Sequence, residues 1–200
     1  MSAGIAFEET MRGGFALGET DPAEGAAAGR RAGSRLTMHA AVAIDDLAAF
    51  VADPDHPGRL AGRIDFPPLG IDLAAPAGVF RLFSPAGADG MGRRMVYELG
   101  FSVDGTPHYL AGEKRVRDDT GPDLWRDTTT LYTRLHRGED AAGEVVGAGI
   151  LALGVPQLMA LLGTLRTTGD GDARTLAAFG GFFFGELWDL YAPLAQGGRP

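Results

Sequence analysis

From Phe7 to about residue 153 the apolar residues recur with a period of two, which is the spacing of strands that bury one face and which no helix can satisfy. Phe7, Met11, Phe15 and Leu17 share odd positions. Leu36, Met38, Ala40, Val42 and Ile44 share even ones, with Thr37 and His39 between them, and Leu60, Ile64 and Phe66 resume the alternation before the Pro67-Pro68 break. Further strands are predicted over Gly78 to Ser84, Arg94 to Val103, Tyr109 to Val116, Thr128 to His136 and Val145 to Leu153. Asp104-Gly105 is a tight-hairpin signal, because both residue types tolerate the positive φ of a primed turn. About eight consecutive strands without helical crossovers predict an antiparallel meander that curls into a barrel or half-barrel, since closure removes exposed sheet edges.

Helical spacing appears in two places. Asp45 is placed to cap a short helix through Asp46 to Val51, stopped by Pro54 and Pro57. After Gly154, Pro156 suits a first helical turn, and Leu158, Leu161, Leu162 and Leu165 form one stripe. A polar break over Thr167 to Asp172 precedes a last helix, capped by Asp172 and running to about Tyr191. It carries Leu176, Phe179, Phe183, Leu187 and Leu190 along one side, Phe184 and Trp188 beside them, and Phe182, Glu186 and Asp189 on the remaining side. Its apolar face is expected to plug or cover the barrel. The Gly/Ala-rich stretch from Ala23 to Gly33 reads as a flexible connector. The expected organisation is a single mainly β domain over 1–200: barrel through 154, two helices within 155–192, and a flexible tail over 193–200.

A formal charge of -8 without any polybasic stripe argues against nucleic acid as a partner; Arg30-Arg31 and Arg93-Arg94 are only pairs. The absence of cysteine excludes disulfides, thiolate metal sites and cysteine nucleophiles, and fits a reducing compartment. The first residues lack the pattern of a secretory signal, and no run approaches the roughly 20 apolar residues of a membrane span, so a cytoplasmic protein is expected. There is no GxGxxG after a strand, no GxxxxGK[ST] and no GxSxG elbow. No flavin, nicotinamide or other cofactor is therefore expected.

Several residues carry candidate chemistry. Asp118, Asp119, Asp123 and Asp127 are hard oxygen ligands gathered within ten residues, although their spacing is not that of an EF-hand and turn roles explain them equally. Trp125 in the same loop is suited to pinning it to the barrel, and Thr128, Thr129 and Thr130 to entering a strand. His39 is out of phase with its apolar neighbours and is expected on the surface, whereas His108 or an imidazole at His136, with Tyr97, Tyr109 and Lys114, can give an apolar cavity its polar handles. Glu9 shares phase with Phe7 and Met11. A carboxylate on the apolar face must pair, with Arg12 or Lys114, or act as a base. Glu98, Glu113 and His108 are the other acid–base candidates, and Phe80, Phe83, Met95, Tyr97, Phe101, Tyr109 and Leu110 the candidates for a ligand-binding inner wall.

At GEKRVRDDTGPDLWRDTTTLYTRLHRG, and further in FEETMRG, LTMHAAVAIDDLAAFVADPDH, GVFRLF, MVYELGF, EVVGAGIL and FGGFFFGELWDLY, the chain resembles an accessory module associated with bacterial cholesterol-oxidase-like flavoproteins of the glucose-methanol-choline oxidoreductase family. The resemblance covers nearly the whole chain but brings no catalytic residues with it, and the chain lacks a flavin-binding segment. It implies a flavoprotein oxidoreductase as partner and a sterol- or lipid-like ligand. Together with the strand pattern it leads to an expected calycin-like or lipocalin-like barrel that binds a hydrophobic small molecule without catalysis of its own. Two other readings stand beside it: a cofactor-independent isomerase or cyclase using a carboxylate and a histidine inside the barrel, and a scaffold that docks its last helix on another chain.

Overall fold

Strand β1 (Ala3–Leu17) is hydrogen-bonded along both edges, and this closes the fold. The computed structural model describes residues 2–86, 92–116 and 129–196. After β1 come helix α1 (Pro22–Ala32), β2 (Arg35–Ile44), α2 (Leu47–Ala52), β3 (Pro57–Phe66), β4 (Gly70–Pro85), β5 (Arg93–Val103), β6 (Thr106–Val116), β7 (Thr130–Arg137), β8 (Glu144–Ala152), α3 (Val155–Thr164), β9 (Arg166–Gly169) and α4 (Ala173–Gln196). Strands β1 to β8 form a closed antiparallel barrel in chain order. One edge of β1 pairs with β2 from Ile5↔Ile44 to Gly14↔Arg35. The other edge is covered in succession. Arg12 to Leu17 pair with β8, the Thr164 hydroxyl accepts the Glu8 N–H at 2.9 Å, and Ala3 to Ala6 pair with β9.

The alternation in the sequence becomes the inside and outside of this barrel. Ile5, Phe7, Met11 and Phe15 of β1, Leu36, Met38, Ala40, Val42 and Ile44 of β2, Leu60, Ile64 and Phe66 of β3, and Leu99, Leu110, Leu131, Leu135 and Leu151 of later strands are buried in one continuous core. Each of the Val, Leu, Ile, Met and Phe side chains contributes about 1.5–3 kcal/mol of burial. Asp104 and Gly105 have φ of 48° and 77°, the two positive values of a primed turn, and join β5 to β6.

Several expectations are corrected. The Ala23 to Gly33 stretch is a helix, α1. Asp21 Oδ1 accepts from the N–H groups of Ala23 and Glu24 at 2.8 and 3.1 Å, Pro22 opens the helix, and Gly33 ends it in the left-handed conformation. Its glycines are contact residues: a Cβ on Gly25 would strike the Ala148 carbonyl, and one on Gly29 the backbone of Phe15, so the helix lies directly on the outer wall of β1 and β8. Strand β4 begins at Gly70 rather than Gly78. Asp46 rather than Asp45 caps α2, accepting from Ala49 at 3.0 Å, while Asp45 takes two bonds of 2.6 Å from Arg59. The supposed polar break contains β9, since Thr167 and Thr168 complete the edge of β1.

The C-terminal helices also differ in facing. Leu162 of the expected stripe is 55% exposed and Met159 beside it 63%, whereas Leu161 and Leu165 pack on the core. Helix α4 starts as expected, with Asp172 accepting from Arg174 and Thr175, but continues to Gln196 into the expected tail. Phe182 joins Phe179 and Phe183 against the barrel end instead of lying on the far side: its ring meets Phe50 at 5.7 Å and His56 at 4.8 Å. Among the described residues, no helix is long and apolar enough to cross a membrane.

Gly29→Val is expected to lower stability by about 1–3 kcal/mol, because the added carbons must lift α1 from the Phe15 backbone. Arg31→Ala, on the exposed face of the same helix, is expected to shift it by less than about 0.5 kcal/mol. Urea midpoints of the two variants check both values; equal midpoints would contradict the contact.

Candidate functional site

Among the described residues, the barrel interior holds one pair of opposite charges. Glu9 projects inward from β1 between Phe7 and Met11, and Lys114 inward from β6, and their side chains meet across the barrel with Nζ 3.5 Å from Oε2. Glu9 is 4% exposed and Lys114 2%. The strand order puts β7 and β8 between their walls, so this contact spans the interior and does not run along one face. Tyr97 of β5 completes the group: its hydroxyl accepts from Lys114 at 3.3 Å, and the ammonium also lies 4.7 Å from its ring centroid. Burial, and then the neighbouring Glu9 carboxylate, push the Tyr97 phenol well above its usual range, so it remains a protonated donor.

Glu9 Oε1 has no hydrogen-bond partner among the described residues, although it is buried. Leaving a carboxylate oxygen unsatisfied in an apolar interior costs about 1–3 kcal/mol or more. The surroundings explain why nothing local satisfies it. The register neighbours of Glu9 on β2, β3 and β4 are Ala40, Gly62 and Ala75, and those of Tyr97 on β6, β7 and β8 are Gly112, Thr133 and Gly149. Thr133 is the other hydroxyl in these rows, and it donates to the Gly149 carbonyl at 2.9 Å.

Aromatic contacts lead from this group to the barrel end under α4. Tyr97 meets Phe80 at 5.2 Å, Phe80 meets Phe7 at 6.1 Å, and Phe7 meets Phe179 of α4 at 6.3 Å. Beside them Phe83, Phe182, Phe50 and His56 form a second cluster, with His56 Nδ1 2.8 Å from the Leu82 carbonyl oxygen. Nothing in the sequence pattern marked His56, whose φ of 42° is uncommon for a residue other than glycine.

The expected site residues are thus divided by the structure. Glu9, Tyr97 and Lys114 come together, and Phe80, Met95, Phe101 and Leu110 belong to the buried core around and beyond them. Phe83 is also buried, but at the end beneath α4, against Phe182 and Phe183. Tyr109 is not on the inner wall. It lies on the outer face, donating to Glu98 at 2.8 Å, so Glu98 is outside as well, and Glu113 is outside with Arg115 at 2.7 Å and Arg94 at 3.7 Å. The reason is the strict alternation: Leu110 and Lys114 face in, so Tyr109 and Glu113 face out. Arg12 is exposed and is not the partner of Glu9.

His108 is buried at the opposite end of β6, stacked on Phe101 at 5.7 Å and bonded to the Thr106 carbonyl, away from the charged group. His136 is held by the Gly143 carbonyl at the end of β7. His39 lies on the outer face, as its phase required, between Thr10 at 3.2 Å and Asp65 at 3.1 Å. Bonding from the Asp72 N–H, and then from His39, holds the Asp65 carboxyl below its usual range. This row copies the residue types of a nucleophilic relay, but it stands on the flat outer wall as a cross-strand ladder. A depression of about 350 Å³ between α2 and the β2–β3 edge is also external, lined by Ile44, Asp45, Phe50, Asp53 and Arg59. Among the described residues, no three or more His, Asp or Glu gather as metal ligands. Asp118, Asp119, Asp123, Asp127, Trp125 and Thr128 lie outside the described residues.

No protein-family model matches the chain, no curated protein is similar to it, and no solved structure resembles it. None of these comparisons links it to the glucose-methanol-choline oxidoreductases expected as its associates.

Lys114→Met is expected to destabilise the protein by about 3–5 kcal/mol by leaving Glu9 charged and unpaired, and a further Glu9→Leu to restore most of that loss, because a desolvated pair is weak relative to an apolar one. Chemical denaturation of the single and double variants reads this directly. Alkali supplies an independent check. Tyr97 is raised well above 10 and Tyr109, by burial and then Glu98, up to about 12. Groups raised in the folded state contribute stability that is complete below the unfolded value near 10 and lost above it. Stability is therefore expected to fall as pH rises from about 10 through 12, and less steeply in Tyr109→Phe, measured as urea midpoint against pH.

Proposed function

We propose that this protein binds an apolar small molecule bearing one polar group inside its barrel, with Glu9, Tyr97 and Lys114 as the polar anchor. The observation that carries the reading is the buried Glu9 Oε1, which has no partner among the described residues although the rest of the group is tied together. A site of this kind combines mostly apolar walls with a few placed polar groups that fix orientation. Phe7, Phe80 and Met95 supply such walls beside the anchor. The hydrophobic body of the ligand would give affinity, and the anchor would choose among bodies of similar shape, because an unmatched buried polar group is penalised by about 1–3 kcal/mol.

Helix α4 would then be the cover. Its described contacts with the barrel end are aromatic side chains stacked edge to face or tilted, each pair worth about 0.5–1.5 kcal/mol beyond its burial. Such contacts exclude water while allowing the helix to part from the barrel at modest cost. A sterol- or lipid-like body fits this reading, and a flavoprotein that receives the ligand remains the partner suggested by the resemblance of the motifs.

Native mass spectrometry of the full chain, with organic extraction of whatever is released, tests the proposal. One apolar molecule per chain, lost in Lys114→Met with Glu9→Leu, is the expected result. A protein that is empty as purified and stays empty with a panel of sterols, fatty acids and aromatic ketones would overturn it.

A further inference from the structure

The barrel end beneath α4 gathers backbone strain and helix-weakening residues that the chain's own packing does not require, and we infer that α4 is a hinged lid that bends at Gly180-Gly181. Three observations meet at this place. The glycines of α1 are contact residues, but a Cβ built on Gly180, Gly181 or Gly185 meets no atom of the described residues within 4 Å. Glycine inside a helix weakens it relative to alanine, so two in succession mark where α4 opens most readily. The rim below is strained. His56 and Phe83 hold left-handed φ of 42° and 54°, and they are linked through Leu82, whose carbonyl oxygen lies 2.8 Å from His56 Nδ1 and whose N–H donates to the His56 carbonyl at 3.2 Å. Strain of this kind collects where a fold has a moving part. The fastening of α4, finally, changes at the glycines. Before them, Asp172 caps the helix and Phe179, buried, reaches Phe7 in the core. After them, Phe182 and Phe183 are half-buried and rest on the strained rim, Phe182 against His56 and Phe50, and Phe183 5.3 Å from Phe83.

Bending at the two glycines lifts Phe182 and Phe183 from Phe50, His56 and Phe83, and frees the left-handed pair from the rings that hold it. The Asp172 cap and Phe179 stay in place. The barrel itself is not opened, because β1 is closed by β2, β8 and β9, all of which precede α4. The exposed rim is aromatic, so water favours the closed form and the open one is a minor state. In helical bonding each N–H reaches the carbonyl four residues earlier. A bend at Gly180-Gly181 therefore breaks the bonds of the N–H groups at 182–184, whereas those at 177–179 survive. The hinge is a property of the chain alone and holds whether or not the barrel takes a ligand.

Residue-resolved amide hydrogen exchange of the full chain, measured by NMR and corrected for intrinsic rates, tests the hinge. The amides at 182–184 are expected to exchange at least about 10-fold faster than those at 177–179, because they open locally. Gly180→Ala together with Gly181→Ala places both new carbons in open space and is expected to slow exchange at 182–184 by about 10–30-fold. Gly163→Ala in α3 also adds its carbon in open space, so it reports any general gain from replacing a helical glycine and is expected to leave 182–184 unchanged. Phe182→Ala is expected to speed exchange at 182–184 and not at 177–179. Equal rates on the two sides of the glycines overturn the hinge. So does a slowing in the double variant no greater than in Gly163→Ala, or a Phe182→Ala effect shared equally by both groups of amides, which would mean that α4 leaves the barrel as one body.

Discussion

The double pairing of β1 is the constraint on which everything else in this protein depends. Its 15 residues serve as the first strand of the meander and, through the opposite edge, as the partner of the last. Each ladder bond contributes about 0.5–1.5 kcal/mol net, and an open edge would leave several such groups facing solvent or another chain. Because β8 ends at Ala152, opposite Arg12, the chain adds α3, the Thr164 hydroxyl and the four residues of β9 to finish the same edge of β1. Closure also turns the inward faces of β1 and β6 toward one another. Without it Glu9 and Lys114 would be two isolated charges on apolar surfaces.

Burying that pair is costly, since several kcal/mol of hydration per ion are lost and the contact is a single 3.5 Å approach without a second bond to Oε1. A core made for stability alone would place leucine and methionine there. The protein instead keeps small residues in the rows beside Glu9 and Tyr97 and surrounds the group with phenylalanines that connect to the covering helix. An unsatisfied buried oxygen at such a place calls for a partner, and the proposed ligand would supply it. The outer carboxylates behave differently. Glu98, Glu113 and Asp45 all have donors at 2.6–2.8 Å on the solvent side, where pairing is cheap and chemically idle.

Much of this was legible in the residues. The clean alternation of Leu36 to Ile44 and the Asp104-Gly105 turn fixed strands, phase and meander, and Glu9 stood out because it shared phase with Phe7 and Met11. Helix α1 was hidden by its composition: Gly25, Ala26 and Gly29 resemble a linker, although Asp21-Pro22 and Gly33 mark both ends of a helix, and those glycines are there because the helix touches backbone. Strand β9 is too short for any period to show. Tyr109 was assigned inward with Leu110, which adjacent residues of one strand cannot satisfy together. Helical phase alone also misjudged Phe182, since α4 meets the barrel end with a broad aromatic face that includes Phe179, Phe182 and Phe183.

The central claim is that Glu9 Oε1 is satisfied by a ligand. A crystal structure of the protein purified without removal of bound lipid measures this most directly. Elongated non-protein density inside the barrel, with a polar atom within about 3 Å of Glu9 Oε1 or Tyr97 Oη, is the result the account predicts. A barrel containing only its own side chains, with Oε1 bonded to a protein donor or a lone water, would contradict it.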